Sequence, residues 1–206
     1  MSMSEGAAAS DSGRRTREEA KALIQEAAKR FLWDRPFREL TVEKLMAETV
    51  LSRPSFYQYF TDVHDLILTL LGEIEVEMHR LAHPWLAGEG EPVEALRESL
   101  RGVVETFAAH GPVLRAIVEA APGDTRLERA WEEFLSHWDD AVETRIREEQ
   151  ATGLMPSFDA RRMARSLNRL DVIVMVMALG RRPQDDVEEV LDVEHRIWAG
   201  SLYWRG

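Results

Sequence analysis

The chain has 206 residues, 45% of them hydrophobic and 31% charged, enough for one full-sized core or two small ones, and it contains no Cys. Disulfide frameworks and thiolate metal sites are therefore excluded, and the composition reads as that of a cytoplasmic protein. The net charge of −11 is uneven: residues 1–62 carry ten Lys/Arg and ten Asp/Glu, the rest sixteen against twenty-seven, so only the first part suits a phosphate-bearing partner.

Residues 1–15, ending in Arg14 and Arg15 with Arg17 just beyond, have no apolar stretch between their charges and read as a disordered tail, not a secretory signal. Thr16 and Glu19 form a capping box for a first helix, with Ala20, Leu23, Ile24, Ala27, Ala28 and Phe31 on one stripe. Asp34-Arg35-Pro36 ends it. Thr41 caps a short second helix with Val42, Leu45 and Met46 inward. After Thr49-Val50-Leu51, Ser52 caps a third, with Pro54 in its first turn and a course through Phe60. Asp62 and Asp65 open a long fourth helix through Leu66, Leu70, Ile74 and Met78, stopped near Pro84, and residues 87–92 form a loop.

A fifth helix carries Val93, Leu96, Leu100, Val103, Val104 and Phe107 and ends at Gly111-Pro112, and a short sixth reaches Ala121. Pro122-Gly123-Asp124 restarts the chain as a seventh, with Leu127, Trp131, Phe134, Leu135, Trp138, Val142 and Ile146 on one stripe and an end near Gly153. The eighth runs from about Asp159 to Leu179. The ninth starts near Val187 and carries Val190, Leu191, Ile197, Trp198 and Leu202. No segment alternates with period two, so the expected fold is all-α with about nine helices: a tail (1–15), a three-helix unit (16–61) and a larger helical unit (62–206). The longest apolar run, Val172 to Leu179, is far too short to cross a bilayer, and no membrane partner is expected.

Two short helices joined by a tight turn, from Leu40 to Phe60, read as a helix-turn-helix. In such a unit the second helix enters the major groove of double-stranded DNA N-terminus first. Arg53 and Gln58 suit guanine and adenine edges, and Thr41, Ser52, Ser55, Tyr57 and Tyr59 suit phosphates and base edges. Arg14, Arg15 and Arg17 form a basic arm. Phe56 and Phe60 read as core. The competing reading is an ordinary polar surface helix and a solvated tail.

The run LTVEKLMAETVLSRPSFYQYFTDVHDLILTLL resembles the signature of TetR-type transcriptional repressors, and AWEEFLSHW, SLNRLD and HRIWAGSLYW resemble the branch of the mycobacterial ethionamide-resistance repressor. The resemblance spans roughly residues 14–204. It implies a homodimer joined through the last two helices, two recognition helices on operator DNA, and a pocket for a small, mostly apolar effector whose binding releases the DNA. At positions matching the pocket of that branch stand Val103, Phe107, Trp131, Leu135, Trp138, Val142, Asn168 and Trp198, and Phe134 shares the aromatic stripe. Two departures fall on functional positions. Thr49-Val50-Leu51 replaces the usual turn glycine, which implies another turn geometry or strain. Val63, His64 and Asp65 stand where a phosphate-binding lysine is common.

Asn168 and Asp171 lie three apart, hence on one face of the eighth helix, just before an apolar segment. The aspartate needs an internal partner such as Arg165 or Arg169, or a ligand donor; where the related branch has asparagine, it favours a neutral or cationic effector over a fatty carboxylate. Apolar surface left over on the eighth helix (Ile173, Val174, Met177) and on the ninth calls for a second copy of the chain. No nucleophile motif, phosphate loop or dinucleotide fingerprint is present, so no enzyme and no cofactor is expected. Glu75, His79 and His83 lack the arrangement of a metal site and read as a polar face, and His110 and His137 have no evident partners. The alternative to a regulator is a small-molecule-binding helical dimer with weak or lost DNA binding.

Overall fold

Most helix starts in this chain are set by a side chain that accepts from the first free backbone N–H groups, so the boundaries follow local chemistry. In a computed structural model, described for the backbone of residues 4–204 and for side chains of residues 17–204, the elements are α1 (Ser4–Asp34), α2 (Val42–Ala47), α3 (Arg53–Phe56), α4 (Val63–Leu81), α5 (His83–Leu86), α6 (Pro92–Ala120), α7 (Thr125–Ala151), α8 (Ala160–Leu179) and α9 (Val187–Tyr203). Short 3-10 turns at Phe37–Glu39 and Ala121–Gly123 precede α2 and α7. Thr41, Asp62, Glu91, Asp124, Asp159 and Asp186 cap α2, α4, α6, α7, α8 and α9 through their side-chain oxygens. The protein is all-α.

One apolar core runs from Ile24 in α1 to Leu202 in α9, with α6 as its axis: α1, α4, α5, α7, α8 and α9 all pack against it. Ile24, Ala27, Ala28, Phe31 and Leu32 form the inner stripe of α1. Phe56 and Phe60, both essentially fully buried, anchor the α3 turn. Among the described residues no helix is long and apolar enough to cross a membrane.

Four expectations need correction. First, α1 starts at Ser4 and not at Thr16, so residues 4–15, read as a tail, continue the helix. Ala7-Ala8-Ala9 has the highest intrinsic helix propensity and nothing before Pro36 forbids the helix. The side chains of Arg14, Arg15 and Thr16 lie outside the described residues.

Second, α3 ends at Phe56 instead of running through Phe60. The chain continues in tighter turns, with the Gln58 N–H donating to Ser55 O (3.3 Å) and the Tyr59 N–H to Phe56 O (3.0 Å). Burial of both Phe56 and Phe60 is what these turns accomplish. Ser52 does not cap the helix backbone; its hydroxyl lies 2.9 Å from that of Ser55.

Third, α6 is not broken at Gly111-Pro112; it is continuous through both. Pro112 cannot donate to Ala108 O, and that carbonyl instead accepts from the Gln184 side-chain amide (2.9 Å), which also donates to Leu179 O (2.8 Å). Gly111 lets the α6 backbone meet the end of α8: a Cβ there would lie 2.5 Å from Leu179 O. Fourth, α5 falls where only the approach to a loop was expected. Among the described residues there are nine helices, matching the expected number because one missed element offsets one split in error.

The turn between α2 and α3 carries no strain. Every described non-glycine residue keeps φ negative, and the Thr49 hydroxyl donates to Met46 O (3.0 Å) while accepting from the Leu51 N–H (3.2 Å). A threonine-centred turn thus does without the glycine and leaves Val50 in solvent.

Candidate functional site

The surface around α3 is built by burying its aromatic underside. With Phe56 and Phe60 inward, Ser52, Arg53, Tyr57 and Gln58 are exposed, and Tyr57 meets Phe56 edge-on at 5.4 Å. Arg53 has no ion-pair partner among the described residues, so its guanidinium is available to an outside acceptor. Ser55 and Tyr59 are only half-exposed. The Arg17 guanidinium lies 6.0 Å from the Tyr59 ring, and the Lys21 ammonium 6.0 Å from that of Phe60, so α1 adds positive charge beside the α3 turn. Thr41 is exposed; its oxygen accepts from the Lys44 N–H (3.2 Å), and its hydroxyl proton remains free to donate.

Nearby acids are internally engaged. Asp62 accepts from the Asp65 N–H (2.9 Å) and from Arg126 (2.9 Å), and Asp65 accepts from both the backbone and the hydroxyl of Thr61. His64, in the place of the missing lysine, is held by Asp124 at 3.2 Å and Asp62 at 3.8 Å.

The second candidate lies inside the larger bundle. Val103 and Phe107 of α6, Phe134, Leu135, Trp138 and Val142 of α7, Asn168 and Asp171 of α8, and Trp198 of α9 line one cavity of about 60 Å³. Trp131 does not reach it. Half-exposed, it stacks on Phe134 at 5.0 Å, seven residues and nearly two turns from Trp138. The cavity also has walls that the sequence did not single out: Met78, Ala82, Trp85 and Leu86 from the end of α4 through α5, and Leu96, Ser99 and Leu100 of α6. Ser99 latches α5 by donating to Ala82 O (3.0 Å) and accepting from the Trp85 N–H (3.0 Å). Leu96 and Leu100 were visible as an apolar stripe, but only the fold shows that the stripe faces a gap.

Polar groups on the wall are few and oriented. Asp139, buried in α7, receives the Asn168 amide (2.9 Å) and a two-pronged Arg169 guanidinium (2.7 and 2.9 Å), with Arg165 at 3.9 Å. The arginines expected for Asp171 are therefore taken by Asp139. Residues 169 and 171 point about 200° apart on the helix, one toward α7 and the other toward α9. Asp171 accepts from the Trp198 indole (2.8 Å) and neighbours Glu194, a wholly buried residue whose carboxyl oxygens meet no hydrogen-bond partner among the described residues. Burial first, then the neighbouring Glu194, holds the Asp171 carboxyl well above its usual range; burial raises that of Glu194 as well. The indole N–H of Trp138 is buried without a partner among the described residues.

His79 stacks flat on Trp138 (4.2 Å, 6°), and burial lowers its pKa, so the ring is neutral at pH 7. Glu75 goes instead to His137 (2.8 Å), and His83 to Glu89 (3.7 Å), so the three residues weighed as a metal set part company. His110, like His137, finds a carboxylate of α4, Glu77, at 3.3 Å.

Residues 96–204 match the family model described as the C-terminal domain of the transcriptional regulator EthR. The HTH-type transcriptional regulator EthR of Mycobacterium tuberculosis is 29% identical over 202 residues, covering 93% of this chain and 92% of that protein. Its Mycolicibacterium smegmatis counterpart is 27% identical over 195 residues, covering 93% and 90%. Among solved structures, the fatty acid degradation regulator FadR of Bacillus halodurans superposes with a TM-score of 0.77 at 16% identity, covering 90% of this chain and 97% of that one. The regulatory protein TetR of Rhodobacter sphaeroides gives 0.71 at 19%, covering 89% and 98%.

Proposed function

This chain belongs to the EthR family of TetR-type transcriptional regulators, which are not enzymes, and from that premise we propose that it is a ligand-responsive repressor binding operator DNA as a homodimer. The division of labour is the one expected from the sequence: residues 16–61 read DNA, and residues 62–206 hold the effector and pair the subunits. The observation that carries the reading is the exposed edge Ser52, Arg53, Tyr57 and Gln58, presented on a one-turn helix whose underside is locked by Phe56 and Phe60. Arg53 and Gln58 supply base-edge contacts; Thr41, Ser52 and Arg17 contact phosphates, with Arg14 and Arg15 extending the arm, and Ser55 and Tyr59 mainly shape the turn.

The effector is a small, mostly apolar molecule that enters the cavity beside Trp138. Asn168, with its amide committed to Asp139, offers its carbonyl oxygen, and the Asp171–Glu194 pair adds acid with no balancing base, so a neutral or cationic ligand bearing a hydrogen-bond donor is favoured over a fatty carboxylate. A space of about 60 Å³ holds only a few water molecules, so any larger guest must part α4, α6 and α7. Since α4 starts directly after the α3 turn, parting it re-aims the DNA-reading edge, and the ligand shifts the population away from the DNA-binding state.

Pairing of the subunits is supported by outward apolar residues: Leu170, Ile173 and Met177 along α8, and Val193, Ile197 and Trp204 at the end of the chain, with Gly200 open beside them. Val190, Leu191 and Leu202, expected to contribute, face the core instead.

The experiment is a gel shift with DNA from upstream of the protein's own coding region, at rising salt. Arg53→Ala should weaken specific binding by roughly 5- to 150-fold, the equivalent of ~1–3 kcal/mol, with little effect on non-specific binding. The second reading, a ligand-binding dimer with weak DNA affinity, is favoured by His64 being tied to two aspartates where a phosphate contact is common. Flat, non-specific affinity unchanged by Arg53→Ala would establish it.

A further inference from the structure

At the end of α1 remote from the DNA-reading edge lies a cleft of about 420 Å³, bounded by α1, the following 3-10 turn, α6 and the turn after α8. Five arginines line it, Arg35, Arg38, Arg115, Arg181 and Arg182, against the two acids Asp34 and Glu119. Such an excess is out of keeping with a chain of net charge −11.

Internal partners account for only part of it. Arg181 pairs with Glu119 at 2.5 Å, and Arg35 with Glu48 at 3.3 Å. The Arg182 guanidinium lies 4.6 Å from the Trp33 ring, which orients it without neutralising it. Arg38 is exposed and has no ion pair among the described residues. Arg115 is the unusual member: 5% exposed, it donates from one terminal nitrogen to Leu32 O, while its Nε is buried and has no partner among the described residues. Burial first, then the nearby Arg181, pushes its pKa down, with Glu119 opposing. A buried guanidinium with an unused donor, beside two further arginines, is a site lacking its acceptor.

We propose that this cleft binds a small phosphate-bearing anion, held between Arg115 and Arg181 with Arg38 and Arg182 closing over it. A phosphate group supplies the acceptors and the charge that the cluster leaves unmatched, and its shape suits the guanidinium fork. Arg17, beside the α3 turn, and Trp33, in the cleft, are sixteen residues apart along α1, about 24 Å, so the cleft is separate from the α3 edge. The site joins the end of α1 to α6 and the α8–α9 turn, so its occupant fastens the two units together. Binding does not depend on the regulator reading and is tested without DNA.

Inorganic pyrophosphate is titrated into the full chain by calorimetry, with sodium chloride adjusted to hold ionic strength constant, and melting is followed in parallel. The expected result is saturable binding near one equivalent with a matching rise in Tm. Affinity should fall at least tenfold in Arg181→Ala/Arg182→Ala, whose fold is checked by circular dichroism, and remain unchanged in Arg53→Ala. A second titration with ADP asks whether Trp33 adds an organic contact; tighter or weaker binding than pyrophosphate both support a phosphate site, inorganic in the latter case. A non-saturating response, or one equal in the double variant, overturns the proposal.

Discussion

Asp171 and Glu194 show how much one residue's neighbours decide. Two carboxyls are enclosed by α8 and α9, and the Trp198 indole N–H is the only donor they meet among the described residues, so burial and their mutual repulsion favour the protonated form. Their folded pKa values are raised above the unfolded ones, so the folded chain binds more protons than the unfolded chain between those limits. The associated stability is complete below the unfolded carboxylate range and is lost as pH rises through the raised values. Asp171→Asn keeps the shape, can donate to Glu194 and removes the like charge. It should raise Tm at pH 8 by roughly 2–5 °C and by less at pH 5, as a melting series will show. The same neighbours explain what was legible beforehand. That Asp171 must be buried followed from its place on an apolar helix; that its partner is an acid on α9 did not, because helical spacing relates residues only within one element.

The starts of α2 and α4 were legible because a cap and an apolar stripe coincide at Thr41 and Asp62, whereas the same combination at Thr16 misplaced the start of α1. Elements were also misread where the deciding contact is distant in sequence. Proline rules, applied locally, end a helix before Pro112; the amide that takes over the freed Ala108 carbonyl belongs to Gln184, beyond α8. The cavity was partly legible for the same reason: the α7 stripe showed Phe134 and Trp138, but not that Trp131 falls past the cavity's edge, nor that α5 brings Trp85 to its wall. The α6–α8 crossing makes a sharp test of this reading. Gly111→Ala sets a methyl against Leu179 O and should cost ~1–3 kcal/mol, roughly 3–10 °C in Tm, whereas Gly123→Ala, with open space around it, should be near neutral.

At the scale of the molecule, charge and apolar surface are segregated: a balanced first part carries the proposed DNA-reading edge, and an acidic bundle carries the cavity and the outward stripe of α8. If that stripe joins two copies, Ile173→Glu/Met177→Glu should convert a species of about twice 23.6 kDa into one of 23.6 kDa by light scattering, and operator affinity should fall with it. Tight walls around Trp138 have a bearing on timing as well as on affinity. If the space beside Trp138, with room for only a few waters, is to take up a larger guest, the helices must separate first, and uptake would then follow how often they separate and not how often ligand collides. On that reading, adding more of the proposed effector would shorten the response only up to a ceiling, and the lag left over would be a property of the protein's own packing.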